Sequence, residues 1–413
     1  MTTRTFDTML NEYLTFDLLK EEHVKRDYFF NKVEKDNSWK GGTVPVPFKA
    51  AGASSVAFGS LTASTDVSED SYVRGTISSV KEQWGTMLFN HRDLMEHDGK
   101  IKESTFLRIL PDAVDAFSDK MKMFTSVNLL NGPHLCKATA DGDASGNLTV
   151  DHPDRLEIGQ KCIIDDDNSS EVTGYVRTIN MNTLVVTFYD ARTGGSVVNL
   201  SAYTTAQNAK VYNPGQQPSL GLGFNSVRGM LLSATNGGDT TIHGQTKTSY
   251  PFLQAINVSG ATVSSTNILS KIFDAYVTIR TLGKGNPAEV IMSYRNLGYV
   301  LSNLESSKGS FNVEVGSQKT SVYGWTEIMI GGVKGMLKVV GVQEMDNDVI
   351  YFIDWRAFKF LSNGLYKKRI APDGKHYFEQ RATTGYSYLV DLCLFGELAC
   401  KFPSYCGVMH SIP

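Results

Sequence analysis

Five cysteines in 413 residues, Cys136, Cys162, Cys393, Cys400 and Cys406, with no C-x-x-C pair among them, give neither a zinc cage nor an even disulfide framework. The expectation is reduced, mostly buried thiols. No H-E-x-x-H occurs among the eight histidines, and none stands at ligand spacing from a cysteine, so they read as surface or packed side chains and no metal is expected. No G-x-x-x-x-G-K-[ST] is present. Gly221-Leu222-Gly223 and Gly283-Lys284-Gly285 lack the third glycine of a dinucleotide fingerprint and read as turns, so no cofactor is expected. An excess of positive charge is also missing: 40 Lys and Arg stand against 43 Asp and Glu, for a net charge of -3. That balance gives no chain-wide attraction for nucleic acid and leaves room only for a locally basic face. No apolar run approaches the ~18 residues of a membrane span. Residues 1–15 carry no basic, apolar and small-residue sequence of a secretory leader, so none is expected.

What the chain does have is a long amphipathic stretch from Glu103 to Leu130. Phe106, Leu110, Ala113, Phe117, Met121, Phe124 and Val127 recur at helical spacing with charged residues between them. Pro111 sits one turn in, where it either opens a helix as its first residue or kinks a continuous one. Asn131-Gly132-Pro133 stops the helix with a residue that accepts left-handed geometry and one that cannot continue it. A helix so placed is a spine for what flanks it.

Before the spine, residues 2–37 are polar with scattered apolar anchors, too few for a core. Trp39-Lys40-Gly41-Gly42-Thr43-Val44-Pro45-Val46-Pro47-Phe48 then reads as an edge strand, because its alternating prolines cannot donate to a ladder. Ala50 to Ser64 is a small, polar tip, and the chain returns extended from Tyr72 through Lys81, Trp84 and Phe89. The two runs predict one long two-stranded ribbon, which needs a neighbour to rest on.

After the spine, Lys137 to Tyr212 shows short alternating strands at Lys161 to Asp165, Val172 to Ile179, Thr183 to Tyr189, Val197 to Leu200 and Ala209 to Tyr212, with Leu156 and Ile158 before them. Turn chemistry between them indicates a small antiparallel barrel. Helices at Thr266 to Leu282 and Arg295 to Leu304, and strands at 287–293, 327–330, 337–342, 349–354 and within 386–402, make the remainder an α+β body.

Two motif matches carry little chemistry. Ser78-Ser79-Val80-Lys81 fits S-x-x-K but sits in an extended run without companion motifs. Asp141 to Thr149 resembles the opening of an oxygen-rich calcium loop, yet His152 stands where a bidentate Glu belongs, so a polar hairpin turn is the better reading. No nucleophile, base and orienter can be assembled, and the chain is not expected to be an enzyme.

The order of polar arm, proline-bearing ribbon from Trp39, spine helix and α+β body resembles the major capsid proteins of tailed bacteriophages, which have the Hong-Kong-97-like fold. Gly221-Leu222-Gly223-Phe224-Asn225-Ser226-Val227, Thr241-Ile242-His243-Gly244 and Tyr250-Pro251 resemble the segment that follows the spine there. The resemblance implies an N-terminal arm over 1–38, an extended hairpin over 39–90, a peripheral domain with the spine over 91–136, an inserted barrel over 137–214, an axial domain over 215–361 and a return to the peripheral domain over 362–413. It implies subunit-interface roles for Trp39, Gly41, Gly42, Val44, Val46 and Phe48 of the ribbon and Phe6, Leu10 and Leu14 of the arm. The partners it implies are further copies in hexamers and pentamers, separate scaffolding and portal proteins, decoration proteins, and enclosed double-stranded DNA, in a virion built in the host cytoplasm and without a membrane. An encapsulin-type compartment and a receptor- or carbohydrate-binding virion protein are the alternatives, the latter with Tyr175, Phe188, Tyr189 and Tyr203 as candidate rings.

Overall fold

The computed structural model describes residues 28–39, 42–51, 71–78, 81–90, 106–166, 171–217, 220, 222–283, 285–306, 328–332, 335–362, 366–368, 378–382 and 385–413. Phe6, Leu10, Leu14, Gly41, the ribbon tip and the start of the expected spine at Glu103 lie outside them. The chain divides into two compact units, one of Met1–Asn31, Lys81–Phe224 and Gly364–Gly396, the other of Lys32–Val80, Asn225–Asn363 and Glu397–Pro413.

In the first unit the spine is a continuous helix, Phe106–Asn131, running through Pro111. Its last turns, from Thr125 to Asn131, are buried on every side, so the amphipathic stripe of the sequence passes into an enclosed helix end. Gly132 then takes φ +114°, open to glycine, and its N–H bonds Asn128 O at 3.2 Å. Strand Lys81–Asn90 lies against this helix. Gln83 Nε2 donates to Met121 O at 3.3 Å, and the Thr125 hydroxyl lies 3.0 Å from Gln83 Oε1. A Cβ at Gly85 would stand 2.5 Å from Met121 Sδ and 2.6 Å from Phe117 Cζ, so a larger residue there needs those two side chains to move.

Here the sequence expectation fails in one respect. Lys81–Asn90 does not continue the ribbon; it pairs antiparallel with Gly385–Cys400, from Lys81 opposite Gly396 to Asn90 opposite Ser387. Tyr366–Lys368 and Phe378–Ala382 pair with the same strand. Local pattern identifies an extended run but not a partner some 300 residues away, and that partner decided the sheet.

The barrel is present and closed. Its order is Lys210–Tyr212, His134–Ala140, Asn147–Val150, Val185–Tyr189, Val172–Asn180, Lys161–Asp165 and back to Lys210–Tyr212. Inward-facing Cys136, Leu148, Val150, Ile164, Val176, Val186 and Phe188 fill it, each worth about 1–3 kcal/mol of buried apolar surface. Val197 to Leu200 is not a strand. It makes one bridge, Val197 to Tyr189, and buries Val198 and Leu200 against the core as a plug. Leu156 follows a short 3-10 turn, Pro153–Arg155, and is buried, while Ile158 is exposed.

The second unit holds a six-stranded mixed sheet in the order Ile256–Ser259, Gly407–His410, Val349–Ile353, Glu289–Met292, Gly335–Gly341, Ile328–Gly332. The pairs Ile256–Ser259 with Gly407–His410 and Glu289–Met292 with Gly335–Gly341 are parallel. Helices Ile268–Leu282 and Tyr294–Ser306 cover it, burying Ile272, Tyr276, Ile279 and Val300 against Val290, Val339, Phe352 and Met409. Glu34–Asp36 adds parallel to Phe358–Leu361, where Lys359 Nζ reaches Glu34 and Asp36. The class is α+β, as the sequence indicates. All five cysteines are free and buried, and burial pushes the Cys162 and Cys406 thiols up to about 12, which keeps them protonated and inert.

Candidate functional site: the ribbon and its seat

The ribbon is a sheet of its own, Val44–Ala51 antiparallel to Ser71–Ile77, with Val44 opposite Ile77, Val46 opposite Gly75 and Phe48 opposite Val73. Side chains alternate between two faces. Val46, Phe48, Gly75 and Ile77 are buried, while Pro45, Pro47, Tyr72, Arg74 and Thr76 are exposed. Because the ladder persists across Pro45 and Pro47, their nitrogens lie on the side away from Ser71–Ile77. The outer edge therefore lacks two donors.

The buried face is seated on a tight hairpin. Thr241–Ile242 and Gln245–Thr246 are joined by His243 at φ 47° and Gly244 at φ 78°, two consecutive left-handed residues as a two-residue hairpin with matching twist requires. His243 O accepts Thr76 N–H at 2.8 Å, and Gln245 Nε2 donates to Arg74 O at 2.9 Å. The Phe48 ring stacks on the His243 imidazole and meets Phe252 at 6.4 Å, which in turn meets Tyr250 at 5.3 Å. At Gly75 a Cβ would fall 2.5 Å from Phe48 Cε2 and 3.1 Å from His243 Cβ.

His243 Nε2 accepts the Cys400 N–H at 2.9 Å, so the neutral ring carries its proton on Nδ1, which has no partner among the described residues. Burial pushes its pKa down to about 4. Beneath the hairpin, Lys247 is buried, with Nζ donating to Gly229 O at 2.5 Å and Leu232 O at 2.8 Å, the carbonyls that end helix Val227–Leu231. Burial lowers its pKa to about 8, with Asp239 pulling the other way. Nearby, Arg228 is clamped by Asp348 through two bonds of 2.9 and 2.8 Å, with buried Asp346 at 3.6 Å, and these carboxylates hold it charged.

Of the expected interface residues, Val46 and Phe48 are thus brought together on the seat, and Trp39 is buried nearby in sequence, its N–H on Ser362 O at 3.3 Å and its indole bonded to Gly42 O. Val44 is half-buried and Gly42 exposed, with open space around its Cα. Sequence reasoning missed His243, Gly75, Phe252 and Lys247. The legible signal was His243-Gly244 between two short β-prone pairs, a turn dipeptide rather than a ligand. At the calcium-like loop, Asp143 binds the N–H and amide of Asn147, and Asp141 the N–H and hydroxyl of Thr205. These bonds hold both carboxyls below the usual range. The stretch between the paired strands is a polar hairpin turn.

No family model and no curated protein matches the chain. Among solved structures it is similar to the "Cyanophage A-1(L) capsid asymmetric unit", at 11% identity over 92% of this chain and 90% of that one, with a TM-score of 0.48. It is also similar to the "Capsid of native GTA particle computed with C5 symmetry", at 8% identity, 95% and 91% coverage and a TM-score of 0.42, and to "Gordonia phage Cozz", at 12% identity, 92% and 84% coverage and a TM-score of 0.42.

Proposed function

We propose that this chain is a Hong-Kong-97-like major capsid protein, copies of which assemble into the icosahedral head of a tailed bacteriophage around its double-stranded DNA. The observation that carries the reading is the ribbon: a separate two-stranded sheet with one face seated on its own unit and the other, with Pro45, Pro47, Tyr72 and Arg74, left exposed. A two-stranded sheet is marginal alone and gains from a second surface. In a shell that surface is a neighbouring copy, and the large buried interface offsets the ordering of arm and ribbon. The proposal extends to the division into arm over 1–38, hairpin, peripheral domain, barrel and axial domain, with the bounds expected from sequence corrected at three places: the hairpin ends at Ile77, the barrel begins at His134, and strand Gly407–His410 joins the axial sheet. A net charge of -3 suits a wall that encloses a polyanion without adhering to it. The role is structural rather than catalytic, its partners are scaffolding, portal and decoration proteins, and assembly takes place in the host cytoplasm before the chain resides in the virion.

Electron microscopy of the chain expressed alone and with its neighbouring reading frames tests this. Shells, polyheads or rings of five and six copies are expected; a monodisperse monomer or trimer under every condition overturns the proposal. Trp39→Ala and deletion of residues 2–37 are each expected to impair closure. If both leave assembly unchanged, the interface assignment of arm and ribbon is wrong.

A further inference from the structure

Three neighbouring barrel strands place one row of side chains on the outside. Register sets Lys161 opposite Tyr175 and Tyr175 opposite Tyr189. The residues alternating with them, Cys162, Gly174, Val176 and Phe188, are buried, so the row faces outward. Tyr175 and Tyr189 are half-buried, unlike Phe188 and Tyr203, which belong to the barrel core. Arg177, two residues along, lies with its guanidinium 5.6 Å over the Tyr189 ring, and its Nη1 donates to Arg192 O at 3.4 Å. Arg192 itself stands over Gly159, in the turn before Lys161, with Nε 3.5 Å from where a Cβ would be.

Among the described residues, none of these three cations forms an ion pair. Of the acids near them in sequence, Glu157 pairs with Lys120, Asp190 accepts the Ser196 N–H at 2.7 Å and Glu171 accepts from Gln217 Nε2 at 3.3 Å. The same face continues into hydrogen-bonding groups, for Thr178 donates to Thr187 at 2.8 Å and Thr187 to Asn147 Oδ1 at 2.8 Å. On a chain of net charge -3 this is a locally cationic, hydroxyl-rich strip across four strands, about 15 Å wide at the usual strand spacing.

We infer that this outer barrel face binds an acidic polysaccharide, with Lys161, Arg177 and Arg192 on its carboxylates and Tyr175, Tyr189 and Thr187 on its hydroxyls. Carboxylates take guanidinium and ammonium donors through charge-assisted bonds. The width fits several sugar rings rather than one small anion. Single-stranded nucleic acid stacks successive bases on a series of open aromatic faces, and of the two rings in this row Tyr189 is already covered by Arg177, which leaves Tyr175 as a single platform. The inference stands on the barrel alone and does not depend on shell assembly.

The test is binding of oligogalacturonate to the full-length chain, with neutral dextran oligomers and oligothymidylate as comparisons. Expected are salt-sensitive binding of oligogalacturonate, no binding of dextran, and loss of about ten-fold or more in affinity in Arg177→Ala/Arg192→Ala. Tyr175→Phe, which removes only a hydroxyl, is expected to lose about three-fold, and Lys271→Ala on helix Ile268–Leu282 nothing. Unchanged thermal melting establishes that the variants fold. No binding of oligogalacturonate by the folded wild type, or binding indifferent to Arg177 and Arg192, overturns the inference. So does oligothymidylate binding as tightly through the same residues.

Discussion

The imidazole of His243 and the ring of Phe48 lie stacked, centroids 6.1 Å apart and planes 11° from parallel. The ring that holds the ribbon down is thus also the ring that accepts the Cys400 N–H, and that second role needs Nε2 unprotonated.

A pH dependence follows. The His243 pKa is lowered from 6.5 to about 4 by burial, so between those values the unfolded chain binds the proton that the folded one refuses. Stability is complete above pH 6.5 and falls as pH drops toward 4, by about 3 kcal/mol from this residue. Urea midpoints at pH 7.5 and 4.5 measure it. His243→Asn, which tolerates the left-handed backbone, is expected to show a shallower fall than wild type.

Gly75→Ala tests the close approach of ribbon and seat. Its Cβ would lie 2.5 Å from Phe48 Cε2, an overpacking expected to cost about 1–3 kcal/mol. Phe48→Leu, destabilising by itself, is expected to recover part of that loss when combined with Gly75→Ala. Thermal melts of the two single variants and the double read the coupling.

Arg228→Met leaves Asp346, 1% exposed, and Asp348 without their shared cation. Removing one partner of a buried ion pair costs about 3–5 kcal/mol. Arg228→Lys keeps the charge but not the two-pronged bond, and is expected to fall between wild type and Arg228→Met in denaturant midpoint.

Pro45→Thr/Pro47→Thr restores two N–H donors to the outer ribbon edge. Folding is expected to be little changed, while light scattering of the unassembled chain rises through edge-to-edge pairing. Equal scattering from wild type and variant would show that the edge is protected by something other than proline.

Much of this was legible in the sequence because it depends on local pattern. The spine stops at Gly132 for the backbone reason its sequence shows, and strands Lys161–Asp165 and Val172–Asn180 match their alternation closely. What was not legible was partnership. Trp84 and Phe89 read as ribbon because an extended run looks the same beside either partner, and theirs, Cys393 and Tyr388, are distant in sequence. Val198 and Leu200 alternate like a strand because plugging a barrel asks for the same inward apolar pair. His243 gave no sign of its role, since stacking and burial belong to the fold around it.

The barrel begins and finishes at one place: Tyr212 in its last strand stands opposite His134 in its first. A segment whose two ends meet imposes no span on the chain that carries it, and lengthening it costs only the logarithm of its length in closure entropy. In evolutionary terms it is a cassette, free to be enlarged, exchanged or trimmed to a short turn while the residues on either side of it keep their own pairing.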